Sequence, residues 1–352
     1  MGGYAKIRLD DNAYYRGQTF FGKVECKFTE EETIRAIRIK LKGRARVEWK
    51  PSKTKFTGED IYFDELFNLI GGYQNITISA GTHTYPFSYI LPNTPLPSPL
   101  IGDYGSVKYK IKVTVDRPWI SDYEDEVLLN VISPLDLNDL PGIRNPFLRS
   151  IEKTPTSCCF ASGPITFSIT LPFTGYVSGQ PIEVGTYINN MSNINIHSVQ
   201  YKILQTVEFI ASSPRTSRRH SENTLVTKNA KAIGAHAEKT WTTTLVVSLA
   251  ETPNLLGCSV INISYRLKVK AILPFPHSNM KISCPLTFGT VPLTEANTNT
   301  TGSSTQLNSY TTAPISEVTP FLQNVASGDG LTQPEASAPP SYEDATLKTS
   351  CS

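Results

Sequence analysis

The sequence predicts an all-β protein: two tandem β-sandwich domains followed by a disordered C-terminal tail. Three observations carry that expectation. Apolar and polar residues alternate with period two in one segment after another, a set of motifs recurs in the same order, and the chain beyond Thr294 loses both features.

The elements follow in order. "YYRGQTFFGKV" (Tyr14–Val24) and "YVSGQPIEV" (Tyr176–Val184) share a Tyr-x-x-Gly-Gln turn followed by a strand pattern. The separation from Gly17 to Gly179, 162 residues, also carries Ile34 onto Ile196, Ile37 onto Val199, Lys40 onto Lys202 and Leu41 onto Ile203. Farther on, "YKIKVTV" (Tyr109–Val115) is echoed by "YRLKVKA" (Tyr265–Ala271). Three matched segments in one order mean a duplicated domain. In "IRAIRIKLKGRARVEW", Ile37, Ile39, Leu41, Ala45 and Val47 fall on one face of a strand. "SVKYKIKVTV" and "VINISYRLKVKAIL" alternate likewise and are rich in β-branched residues and Tyr. No long helical period interrupts them. Short strands in copies of about 140 residues close most simply as immunoglobulin-like sandwiches. The expected domains are residues 1–135, a linker 136–155 around "SPLDLNDLPG", a second sandwich 156–293, and the tail 294–352.

Composition narrows the function. Charged residues are 18% and the formal net charge is +2, so bulk electrostatics does not suggest a nucleic-acid binder. The six cysteines, Cys26, Cys158, Cys159, Cys258, Cys284 and Cys351, lack the spacing of a disulfide framework or a zinc site. "MGGYAKIRLDD" has no apolar signal region, and no apolar run reaches the roughly 20 residues that span a bilayer. Lys6 stands where a myristoylation signal needs Ser or Thr, and Cys351 is too near the end for prenylation. The expectation is a soluble cytosolic protein without cofactor or metal. The five histidines (His83, His197, His220, His236, His277) are scattered, and the sequence has no GxSxG, HExxH, phosphate-loop or GxGxxG motif, so it is read as a non-enzyme.

Several motifs occur together in a characteristic order. "GTHTYPFSYILPNTPLPSPLIGDYGSVKYKIKV" resembles the Pro-Phe…Leu-Pro element and following Tyr-Gly strand of arrestin N-domains. "SPLDLN" (Ser133–Asn138) is similar to the interdomain segment of the α-arrestins, or arrestin domain-containing proteins. "CCFASGPITFSITLPFTGYVSGQ" resembles the opening of their C-domain. The resemblance runs over roughly residues 5 to 293. It implies the arrestin fold and an adaptor at the plasma membrane and endosomes, peripherally associated, that holds cytoplasmic tails of receptors or transporters.

The α-arrestins also carry Pro-Pro-x-Tyr motifs after the C-domain, often two; this chain has one, "PPSY". Consecutive prolines favour polyproline II before binding, which lowers the ordering cost in a WW-domain groove. Pro339, Pro340 and Tyr342 are therefore the expected contacts, and the resemblance implies a WW-domain HECT-class ubiquitin ligase as partner. The function so read is ligase recruitment to membrane cargo, promoting its ubiquitination, endocytosis and sorting. The alternative is an arrestin-like endosomal sorting scaffold that works without a ligase.

Other residues suggest further sites. Arg38, Lys40, Lys42, Arg44 and Arg46 form a one-sided cationic row about 26 Å long at strand rise. It would suit acidic or phosphorylated cargo tails or anionic lipid heads; the alternative is a solvated face with acidic neighbours from an adjacent strand. "SSPRTSRRHSE" (Ser212–Glu222) is read as a basic loop in which Arg218 and Arg219 precede Ser221 as a basophilic kinase prefers. The vicinal Cys158 and Cys159 are read as buried junction thiols, with palmitoylation as the alternative.

Overall fold

A strand with one apolar face needs a second sheet to cover it. The computed structural model of the chain, which describes residues 3–155, 162–249 and 254–294, has two such pairs of sheets. In the first sandwich, β1 (Tyr4–Leu9), β2 (Thr19–Phe28) and β5 (Gly81–Ile90) form one sheet in the order β1-β2-β5. Its partner contains β3 (Glu32–Trp49), β4 (Phe56–Ile78), β6 (Leu100–Gly102) and β7 (Gly105–Asp116), ordered β4-β3-β7-β6, with β8 (Tyr123–Leu128) also on β7.

The second sandwich pairs β9 (Phe147–Lys153), β10 (Ile165–Leu171), β12 (Pro181–Asn190) and β15 (Ala237–Val246) in the order β15-β12-β10-β9. The facing sheet contains β11 (Gly175–Val177), β13 (Ser198–Ala211), β14 (Ser217–Ala230), β16 (Ile261–Ile272) and β17 (Met280–Gly289), ordered β11-β17-β16-β13-β14. β11 runs parallel to β17; the other named pairs are antiparallel. Among the described residues the only helical element is the 3-10 turn Leu137–Asp139, whose Asn138 N–H is capped by Asp136 at 2.8 Å.

The duplication extends to individual atoms. Gly17 and Gly179 both adopt left-handed φ, 72° and 81°, which glycine tolerates without a Cβ clash. In each turn the following glutamine side chain accepts a backbone N–H: Tyr15 to Gln18 at 2.9 Å, Val177 to Gln180 at 3.0 Å. In each, a fully buried tyrosine donates its hydroxyl to a carbonyl three residues upstream, Tyr14 to Asp11 and Tyr176 to Phe173, both at 2.9 Å. Register is shared too. Lys40 lies opposite Lys112 in the first copy, and Lys202 opposite Lys268 in the second.

Two expectations need correction. Phe147–Lys153, within the segment read as linker, is β9 and pairs with β10 from Phe147↔Leu171 to Lys153↔Ile165. Phe147 and Ile151 alone pack on the core, so its sequence alternates too weakly to read as a strand. The segment read as a basic loop is mostly β14, with only Ser212–Thr216 left as the turn. β14 is an edge strand, so its polar residues face water while the backbone pairs with β13 from Val199↔Ala230 to Ala211↔Ser217.

The two sandwiches meet along a close seam. Val207, Phe209, Ala211 and Ile261 of the second belong to the same apolar cluster as Leu41, Val47 and Tyr109 of the first. Thr57 exchanges backbone hydrogen bonds with Ser213, both at 3.0 Å. Gly58 and Gly102 permit the approach: a Cβ at either would stand 2.7 Å from the Ile210 carbonyl oxygen or the Phe209 ring.

The paired tyrosines generate a prediction. Tyr176→Phe should cost about 1 kcal/mol, one hydrogen bond. Tyr14→Phe should cost about twice that, because the Tyr14 hydroxyl also accepts the Asp11 N–H at 3.0 Å. Urea unfolding of both variants against the parent measures the difference.

Candidate functional site

Pro339, Pro340 and Tyr342 lie outside the described residues, as do Cys158 and Cys159. The cationic row is described, and it is larger than its own strand. Arg38, Lys40, Lys42, Arg44 and Arg46 project from the outer face of β3, whose inward residues Ile37, Ile39, Leu41, Ala45 and Val47 have no exposed surface. Directly across on β7 stand Lys112 opposite Lys40, Lys110 opposite Lys42 and Lys108 opposite Arg44. Sequence reasoning missed these three lysines, although "VKYKIKV" displays them at every second position.

Like charges facing each other across a ladder repel. The flanking strands answer with acids. On the β4 side, Asp64 bridges Lys40 at 3.3 Å and Lys42 at 2.6 Å, and Glu59 meets Arg44 at 2.9 Å. On the β8 side, Glu124 meets Lys112 at 2.8 Å and Glu126 meets Lys110. Asp116 joins Arg35 and Arg38 at 2.9 and 2.8 Å, and Glu48 joins Arg46 and Lys55 at 2.7 Å each. All five cations of the row are thus ion-paired, which is the acidic-neighbour arrangement weighed above. Among the described residues Lys108 forms no ion pair; it lines a groove of about 450 Å³ with Arg44, Arg46 and Tyr104.

Apart from those of Asp116, which is buried, these pairs are exposed, and exposed pairs hold their partners by only about 0–1 kcal/mol. The Lys42 ammonium, seconded by Lys40, keeps the Asp64 carboxyl below the usual carboxylate range, and Lys55 and Arg46 do the same for Glu48. Apolar side chains interrupt the charges: Leu66 lies across from Lys40, Ile61 from Arg44 and Leu128 from Lys110, each more than half exposed. Because directly paired residues share a sheet face, anionic and apolar groups of a ligand could be met together.

The second basic feature points toward the seam. Arg218 pairs with Glu208 at 3.0 Å, and the Arg219 guanidinium sits 5.9 Å from the Tyr104 ring centroid. Ser221, expected on a loop, stands on β14 and donates to Asp103 Oδ2 at 2.6 Å. Burial pushes the Cys26 and Cys284 thiols up to about 12, and Cys258 up as well, so these sulfurs are poor nucleophiles at neutral pH. Among the described residues no group of three or more His, Cys, Asp or Glu is placed to hold a metal, and no helix is long and apolar enough to cross a membrane.

Comparison with known proteins matches residues 5–138 to the family "Arrestin (or S-antigen), N-terminal domain" and residues 161–293 to "Arrestin (or S-antigen), C-terminal domain". The chain is 29% identical over 292 residues to human arrestin domain-containing protein 4, covering 79% of this chain and 68% of that one. It is 26% identical over 303 residues to Caenorhabditis elegans arrestin domain-containing protein 17, covering 80% and 68%. It is 25% identical over 286 residues to human arrestin domain-containing protein 1, covering 80% and 63%.

The charge lattice predicts an acid-sensitive term. Asp64 has its pKa depressed in the folded state, so its contribution is present above the ordinary aspartate range, about pH 4, and is lost as pH falls through the folded value. Asp64→Asn should therefore be less stable than the parent at pH 6, and the difference should be smaller at pH 3, below the unfolded value. Denaturant melts of both proteins at the two pH values test this.

Proposed function

The chain belongs to the arrestin domain-containing, or α-arrestin, family and is an arrestin-like adaptor. From that premise we propose that it brings a WW-domain HECT-class ubiquitin ligase to membrane-protein cargo, promoting ubiquitination, endocytosis and endosomal sorting of that cargo. One observation carries the reading: the Pro339-Pro340-Ser341-Tyr342 motif follows the second arrestin domain in the same chain. Two prolines preset the extended conformation that a WW groove accepts, and the Tyr342 ring fills the adjoining pocket. The polar segment between Thr294 and Ala338 serves as the tether that lets the ligase reach the cargo. The transfer chemistry belongs to the ligase.

The cargo end of the proposal rests on the β3–β7 face. Its cations are held by exposed ion pairs, which an acidic or phosphorylated cytoplasmic tail, or anionic lipid heads, can replace one for one. Ile61, Leu66 and Leu128 add apolar contact beside the charges. Such a surface favours peripheral association with the plasma membrane and endosomes.

Tyr342→Ala in the full chain should weaken capture by isolated ligase WW domains at least about tenfold, since the motif has no second copy to supply avidity. The same variant should reduce cargo ubiquitination in cells. Undiminished capture would remove the motif from the mechanism; unchanged cargo sorting despite lost capture would favour the ligase-independent scaffold.

A further inference from the structure

Two carboxylates of the first sandwich reach serines of the second. Asp60 accepts both the Ser259 N–H and its hydroxyl at 2.6 Å, a pair that no single modification of the hydroxyl can wholly remove. Asp103 is held differently. It stands in the turn between β6 and β7, and among the described residues its one cross-seam hydrogen bond is from the Ser221 hydroxyl at 2.6 Å. That hairpin, Leu100 to Gly105, forms a wall of both grooves beside the seam: the cationic groove described above, and a second of about 320 Å³ lined by Gln205, Phe209, Ser221 and Asn223. The rest of its grip on the second sandwich is aromatic. Tyr104 meets Phe209 edge-on at 5.6 Å and lies under Arg219.

We propose that Ser221 is a phosphorylation site and that its phosphate releases the Asp103 hold between the sandwiches. The site is read from three placements. Arg218 and Arg219 stand three and two residues before Ser221, and the flanking residues from Arg218 to His220 and from Glu222 to Thr224 are exposed. β14 pairs with β13 alone, so the recognition segment can lift from the sheet by breaking one ladder, not two. The acceptor oxygen already points at an anion across the seam.

The chemistry is a phosphoryl transfer from a nucleoside triphosphate by a basophilic protein kinase. The bond from Ser221 Oγ to phosphorus forms, the β–γ phosphoanhydride bond breaks, the nucleoside diphosphate leaves, and the hydroxyl proton passes to the kinase base. The consequence for the seam is electrostatic. A donor facing Asp103 becomes a group of charge about −1.5 to −2 facing a carboxylate, with the shared proton gone. Arg219 shares the Ser221 face of β14, two residues away, and is the nearest cation on that strand face; swinging to the phosphate takes it off Tyr104. The hairpin then loses its hydrogen bond and its cation together, while Phe209 and the Thr57–Ser213 backbone pair keep the sandwiches joined. This inference does not rest on the ligase reading.

The test uses the full chain treated with the catalytic subunit of a basophilic kinase and magnesium–ATP. Peptide mapping by mass spectrometry locates the phosphate, and hydrogen exchange is compared before and after. The expected result is phosphate on Ser221, absent in Ser221→Ala. Amide exchange should then be about tenfold faster over residues 102–106, as loss of a charge-assisted bond implies. In Asp103→Asn the phosphate should still go on, but the acceleration should be much smaller because the repelling charge is gone. No phosphate on Ser221 in either the parent or Asp103→Asn overturns the proposal. Phosphate without faster exchange overturns it, and so does equal acceleration in Asp103→Asn.

Discussion

β3 meets two opposed environments along its whole length, and the first sandwich is organised around that requirement. From Ile37 to Val47 its inward side chains are sealed in the core, while every outward side chain in the same stretch is a cation or faces one. A strand with that charge density cannot sit in the middle of a sheet beside another lysine strand unless acids flank both. β4 and β8 carry those acids, and the result is a sheet face whose columns run acid, base, base, acid. Apart from those of buried Asp116, its internal pairs are solvent-exposed and individually weak.

The seam between sandwiches follows a different logic. There the apolar cores merge through Phe209 and its neighbours, and glycines bring backbones close enough for direct hydrogen bonding. Around that apolar centre stand short polar contacts, Asp60 to Ser259 and Asp103 to Ser221. A junction with a packed centre and a small number of charged rim contacts can be biased by a change at the rim without losing its centre. The β6–β7 hairpin is the element so placed, since it walls the groove on each side of the seam.

The two copies share architecture but not surface. The glycine turn, the buried tyrosine, the Gln side-chain bond and the Lys–Lys cross-strand pair recur in both. Among the described strands of the two copies, the row of five outward cations is on β3; its counterpart β13 carries a single cation, Lys202, among Gln200, Leu204, Thr206 and Glu208 on its outward face. Structural residues kept the fold in both halves, whereas the charged face is a property of one half. Family membership accounts for the first of these facts.

The sequence by itself determined the class of fold and the duplication, because period-two alternation and a repeated left-handed glycine are local physical demands that the chain cannot hide. It also displayed the Pro-Pro-Ser-Tyr motif, whose recognition depends only on a few contiguous residues. β9 and β14 escaped that reading: as edge strands they bury little, and pairing of their backbones leaves no apolar period. Only the tertiary structure decided the state of the cationic row. Asp64, Glu59 and Asp116 lie about 15 to 80 residues from the Lys40, Lys42, Arg44 and Arg38 they meet, and sheet pairing brings them within bonding distance; Arg46 alone finds its acid, Glu48, two residues along. The Ser221–Asp103 contact is of the same kind, two residues 118 apart joined across a seam. Charge balance in a β-sheet is settled by neighbours across the ladder, which strand order assigns and sequence adjacency does not.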